Sequence, residues 1–185
     1  KEVNYRNVSI AYKSKVGVFG IGYMDASVDE IPRTQMSDQN VVIAVENFEY
    51  KNRIIKAAYQ HSITDDLHVG VNGVGYMNEI YTYSGSGYSI DMGAMYSVSD
   101  LTLSLFARNL IPTKVEYSDS NDPDYLGEEE LPLQVIVGAK YPFGDLDVMG
   151  QFKFDGVNSL MSAGLDYTPS FIWDVLTISA GYKEF

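Results

Sequence analysis

Apolar residues recur at every second position over much of this chain. Tyr88, Ile90, Met92, Ala94, Tyr96 and Val98 alternate with Ser89, Asp91, Gly93, Met95 and Ser97. A helix turns about 100° per residue and would scatter that set around its axis, whereas a strand keeps it on one face. Leu101, Leu103, Leu105 and Ala107 continue the pattern, and 131–141, 146–154, 161–167 and 176–182 repeat it. Weaker alternation predicts strands over 7–13, 16–24, 41–49, 54–63 and 67–78. The reading is eleven strands with no competing window of helical spacing, an all-β chain.

The breakers agree. Pro32, Pro112, Pro123, Pro132, Pro142 and Pro169 fall in predicted loops or at strand ends, where a missing N–H costs no ladder bond. Turn-forming pairs such as Asp65-Asp66, Ser99-Asp100, Gly144-Asp145 and Asp155-Gly156 separate the strands. Consecutive strands with tight turns predict an antiparallel meander. Several predicted strands approach the roughly 9–11 residues a tilted strand needs to cross a bilayer. Connections at 64–66, 99–100, 143–145 and 168–171 are short, those at 79–87 and 111–130 long. The expected fold is therefore an antiparallel up-and-down transmembrane β-barrel, or the middle part of one, with long loops on one side and 1–185 as a single domain. The stretch 25–40 falls on the wrong side for a long loop and suggests a missed strand.

The two faces differ in chemistry. One carries Leu, Val, Ile, Met, Ala and Phe, with Tyr88, Tyr96, Tyr141, Tyr167 and Tyr182 at its ends, as an aromatic girdle would. The other mixes small polar residues with Asp91, Arg108, Lys140, Asp147, Lys153 and Asp166, the candidates for a lumen. Leu101, Leu103, Leu105, Leu133, Val135 and Val137 are expected to face lipid. Alternation alone does not distinguish this from a soluble or surface barrel of opposite sense that binds a small apolar ligand. Strand length, tyrosine placement and loop asymmetry favour the membrane.

Composition narrows the chemistry. The 185 residues carry a net charge of −12, which repels phosphate and argues against nucleic acid as a partner. There is no cysteine and there are only two histidines, so disulfides, thiol catalysis and cysteine-ligated metal are excluded. No apolar run reaches the length of a transmembrane helix. The chain opens at Lys1 without an apolar signal segment, so such a peptide is expected to have been removed or left out.

Three clusters could carry chemistry. Asp119, Asp122 and Asp124 space oxygens loosely like a calcium loop, but without the glycine and terminal glutamate of an EF-hand; a solvated loop over 118–130 is the expectation. His61 and His68 straddle the Asp65-Asp66 turn and could approach one another across it. Ser62 adjoins His61 but points to the opposite face. No catalytic set is assigned; the expectation is a non-enzyme without cofactor or metal.

Short segments in order add a resemblance. "DDLHVGVNGVGYMNEIYTYSGSGYSIDMGAMY" at 65–96, "LTLSLFARNLI" at 101–111, "EELPLQVIVGAKY" at 129–141 and "AGLDYTPS…LTISAGYK" at 163–183 resemble the outer-membrane PorV/PorQ family, itself similar to FadL-type transporters. The likeness covers roughly 65–183; the family's "NPAgl"-like N-terminal segment and its closing strands have no counterpart. It implies a porin-like outer-membrane barrel. Its partners would be outer-membrane lipid and, through the long loops, secretion-system or surface proteins. Its role would be type IX protein secretion and cell-surface attachment, or transport of hydrophobic molecules across the outer membrane. An odd strand number and the missing segments predict a sheet that does not close on itself.

Overall fold

A computed structural model describes residues 2–111, 113–169 and 176–184. Its strands are β1 Val3–Ser14, β2 Gly17–Met36, β3 Val42–Ser62, β4 Leu67–Ile80, β5 Tyr83–Val98 and β6 Leu101–Arg108. They continue as β7 Thr113–Asp119, β8 Asp122–Leu131, β9 Gln134–Phe143, β10 Leu146–Phe154, β11 Ser159–Tyr167 and β12 Ile178–Lys183. All belong to one antiparallel sheet, in the order β1-β2-β3-β4-β5-β6-β9-β10-β11-β12. No helix occurs among the described residues.

β7 and β8 explain themselves once their partners are read. β6 runs along Met92–Val98 of β5, and β7 runs along Tyr83–Gly87 of the same strand. β8 returns along β7, and β9 returns along β6. These four are two long strands, each broken once, at 109–112 and at 132–133. The sheet is thus a meander of ten long ribbons.

This corrects the eleven-strand expectation in three places. Segments 41–49 and 54–63 form one strand, β3, because Phe48 to Asn52 keep pairing with β2 or β4. Stretch 25–40 is the outer half of β2 plus a turn at 37–41, so no strand was missed and the alternation of turn sides is restored. Segments 79–87 and 118–130, expected as loops, are strand ends and a hairpin. An even ribbon count sets β1 and β12 antiparallel, so the odd-number argument against closure falls. The sheet is nevertheless open among the described residues: β1 pairs with β2 and β12 with β11. Residues 170–175, between β11 and the expected strand 176–182, lie outside the described ones.

The break between β6 and β7 is pinned from behind. Three extra residues there force Asn109 to a left-handed φ of 54°. Its backbone N–H donates to Asp91 Oδ1 at 3.1 Å, its Nδ2 to Pro132 O at 2.9 Å, and Ser89 Oγ donates to its Oδ1 at 3.0 Å. Asn72 Nδ2 donates to the other Asp91 oxygen at 3.1 Å. Pro132, which lacks an N–H, sits where the second ribbon breaks. Ser89, Thr113, Val115 and Val74 are buried around this joint. Val74 and Val115 are the only buried apolar residues among those described, so the apolar side chains do not meet in a closed core.

Cross-strand partners share a face, and the registers sort the sheet into two. Ten of the fourteen strand glycines lie on the face that carries Asp91 and Lys140; Gly17, Gly73, Gly75 and Gly150 lie on the other. A Cβ added at Gly87, Gly93 or Gly138 would sit 2.6, 2.8 and 2.6 Å from Lys114 O, the Phe106 ring and Ser104 Oγ. At Gly75 or Gly150 it would meet nothing within 4 Å. Side chains converge on the inside of a curved sheet and splay on its outside. The polar face is the crowded, concave one.

Candidate functional site

All six predicted polar-face residues fall on the same face. Asp91 lies opposite Asn72, Arg108 opposite Gln134, and Lys140 opposite Thr102 and Met149. Lys153 lies opposite Ile136 and Leu160, and Asp147 opposite Asp166. The structure does not gather them into one site. Lys140 pairs with Asp147, beside Asp166, near the short-turn end. Lys153 stands near the other end of its strand. The Arg108 guanidinium lies 5.6 Å above the Phe106 ring. Asp91 is 5% exposed and committed to the Asn109 joint. Its position on the polar face holds, but its carboxylate faces the joint and not open space.

Lys13, Lys56 and Lys183 share this face and were missed from sequence. Lys13 is opposite Val18, Lys56 opposite Gly22 and Val74, Lys183 opposite Ser162. The weak alternation of 7–13 and 54–63 hid them; extending the parity of neighbouring strands would have exposed them. A groove of 520 Å³ on the same face is floored by Gly20, Gly70 and Gly93, with Gln60, Asn72 and Phe106 around it.

The opposite face carries no Asp, Glu, Lys or Arg over a broad band. From Tyr88 to Tyr96 of β5 the outward set is Tyr, Ile, Met, Ala and Tyr, and the register extends it through Leu103, Leu105, Val137, Phe152 and Leu165. Leu105 is 52% and Val137 48% exposed. Of the six residues expected on this face, Leu101, Leu103, Leu105, Val135 and Val137 are on it; Leu133 lies in the break between β8 and β9. The Tyr88-to-Tyr96 interval matches the roughly 9–11 residues of a bilayer-crossing strand.

Beyond the band, at the end away from the short turns, β2 and β3 continue as a hairpin, rising roughly 35 Å past Asp25 at ~3.3 Å per residue. Here every cation of the hairpins has a carboxylate. Arg33 binds Glu46, and both bind the Tyr81 hydroxyl, at 2.9 and 2.8 Å. The Arg33 hydrogen bond holds Glu46 below the usual carboxylate range, and Glu46 in turn raises Arg33 and Tyr81. Arg53 reaches Glu79 at 3.0 Å and Asp25 at 3.6 Å; Lys51 binds Glu49; Lys114 binds Glu128 and approaches Glu130 at 3.8 Å. Tyr117 lies flat over Gly85, accepting from Asn78 and donating to Glu129 at 2.9 Å.

The candidate calcium loop is the turn of the β7–β8 hairpin. Asp119 accepts the Asn121 N–H at 3.0 Å, which holds its carboxylate below the usual range, and Asp122 accepts the Asp124 N–H. Those oxygens serve their own turns, and no group of three metal-ligating side chains converges among the described residues. His61 and His68 do not approach each other. The register sets His61 opposite Val69 and His68 opposite Ser62, which places the imidazoles on opposite faces. Ser62 Oγ lies 2.8 Å from His68 Nδ1, a pairing that reasoning from adjacency overlooked; the salt bridges and hydrogen bonds give it no acidic third member.

No protein-family model matches the sequence, and no curated protein matches it. Among solved structures the chain is similar to the outer-membrane expressed OmpT of Vibrio cholerae, with a TM-score of 0.57 and 11% identity. The match covers 99% of this chain and 57% of that one, so the chain spans little more than half the length of the barrel it resembles. The fold is that of an outer-membrane β-barrel wall, with the sheet open among the described residues.

Proposed function

We propose that this chain forms the wall of an outer-membrane barrel whose polar face lines a passage for solutes, with its apolar face in lipid. The observation that carries it is the opposition of the two faces: the convex face is free of charge between tyrosine rows, and the concave face holds the lysines, arginine and aspartates. Burying charge on the convex side would cost several kcal/mol per group in hydrocarbon. A soluble carrier needs the reverse arrangement, with apolar side chains inside and charge outside. Asp91, Arg108, Lys140, Asp147, Lys153 and Asp166 are the lumen residues in this reading, and no catalytic residue is invoked. The PorV/PorQ and FadL resemblance supports the same class. Within it we favour transport.

A second role, secretion or attachment of surface proteins, is favoured by one feature: the β2–β3 hairpin ends in the exposed Met36, Val41, Val42 and Ile43. Deleting 30–47 separates the two roles, since passage through the wall survives and surface capture does not. The membrane reading itself is tested by fractionation and solubility. The full-length protein should float with outer membrane and require detergent to stay monodisperse. Recovery as a monodisperse species without detergent would overturn it.

A further inference from the structure

We infer that the concave face is an anion-attracting wall, selective for small solutes bearing carboxylate or phosphate; the inference rests on that face being the lumen. Within the membrane band this face holds Lys13, Lys56, Arg108, Lys140, Lys153 and Lys183. Against these six cations stand three carboxylates, Asp91, Asp147 and Asp166, in a chain whose overall charge is −12. Two of the three acids are already engaged. Both Asp91 oxygens accept hydrogen bonds from Asn72 and Asn109, and Asp147 is paired with Lys140. Lys13, Lys56 and Lys153 have no carboxylate directly opposite them on a neighbouring strand. Lys56 stands between Gly22 and Val74, and Lys153 between Ile136 and Leu160. Asp155, in the adjoining turn, feels the Lys153 charge, while its carboxylate is held chiefly by the Asn158 and Val157 N–H groups.

Gly22 opposite Lys56 keeps the wall low beside that lysine. A low-dielectric wall lined by one sign focuses the field into the passage and raises the local concentration of counter-ions. The outer hairpins carry the opposite sign, with Glu116, Glu128, Glu129 and Glu130 on β7 and β8. The mouth is acidic mostly on its outer side, since only Glu129 has the parity of the concave face and Lys114 holds Glu128. A mouth of that sign slows anions without excluding them at physiological ionic strength, where exposed charge is screened within about 8 Å.

The absence of cysteine makes the test clean. Single cysteines are placed in the full-length protein in membranes at Gln151, two residues from Lys153 on the same face, at Ser9, in register with Lys56, at Val137 on the apolar face, and at Leu126 on the outer hairpin. Each is reacted with an anionic and a cationic methanethiosulfonate. At Gln151→Cys and Ser9→Cys the anionic reagent should react roughly tenfold faster, relative to a free thiol, than the cationic one. Lys153→Glu and Lys56→Glu should reverse the order at their respective sites. Leu126→Cys should favour the cationic reagent, and Val137→Cys should resist both. Equal rates or a cationic preference at 151 and 9, with 137 protected, overturns the inference and leaves the lumen reading standing. Reaction at 137 with protection at 151 and 9 overturns the lumen reading itself, and protection at all three overturns both.

Discussion

The spanning band and the outer hairpins use the same residue types to opposite ends. In the hairpins, Arg33, Lys51, Arg53 and Lys114 are each held by a carboxylate, and all but one of the ion pairs among the described residues are there. In the band Lys140 pairs with Asp147, while Lys13, Lys56 and Lys153 have no carboxylate opposite them. Hairpins that project into water with strands on one or two sides have little apolar burial to hold them. Side-chain bridges between strands supply the missing order, weakly and in number. In the proposed membrane setting the band is held by backbone ladders in hydrocarbon, where each broken bond costs far more. On the proposed reading, Lys13, Lys56 and Lys153 are the cations open to a solute.

The largest expected effect comes from reversing the chemistry of the convex face. Leu105→Arg, at the middle of the band, should destabilise the inserted protein by about 2–4 kcal/mol, read from urea unfolding in lipid. Ser104→Arg, one residue away on the other face, should cost a small fraction of that. Equal costs would erase the distinction between the faces.

Next comes the joint between β6 and β7. Asp91→Ala removes the acceptor of the Asn109 N–H and strands Asn72 Nδ2. The cost should be roughly 1–3 kcal/mol, with hydrogen exchange quickening at 109–115 before the rest of the sheet. Gly93→Val should cost a similar ~1–3 kcal/mol, because the Phe106 ring occupies the space of the new side chain. Gly150→Val, on the open convex side, should not.

The smallest effect is electrostatic and confined to the hairpins. Glu46 is held below its ordinary value by Arg33 and Tyr81, so its contribution is present above the unfolded carboxylate pKa and is lost as pH falls through the lower folded value. Amides of 31–36 and 42–48 should therefore lose protection on acidification below about pH 4.5 while those of 69–75 do not. Glu46→Gln should remove that pH dependence.

Much of this was legible in the period-two pattern, and what was not has physical reasons. The strands from 88 to 167 follow their alternation because the ladder keeps each parity on one face, apolar on one side and polar on the other. β3 was split in two because its outer half is polar, so Asn47, Lys51 and Arg53 interrupt the apolar count while the ladder runs on past a bulge at Glu49. β7 and β8 were read as a loop because Asp119 to Glu130 are acidic; hairpins outside the bilayer pay no penalty for charge. Of the candidate residues, the six on the polar face were found by parity, which depends on the backbone alone. That Asp91 is spent on the joint was invisible, since its partners Asn72 and Asn109 come from two other strands.

The central claim is that the charge-free face is turned outward to lipid and the lysine-bearing face inward to water. Spin labels placed singly at 101–107 and 135–141 in the membrane-embedded protein test it most directly. The account predicts that accessibility to oxygen peaks at the odd positions and accessibility to a water-soluble nickel chelate at the even ones, with a period of two across both strands. The same period with the two reagents exchanged, or no period at all, would contradict it.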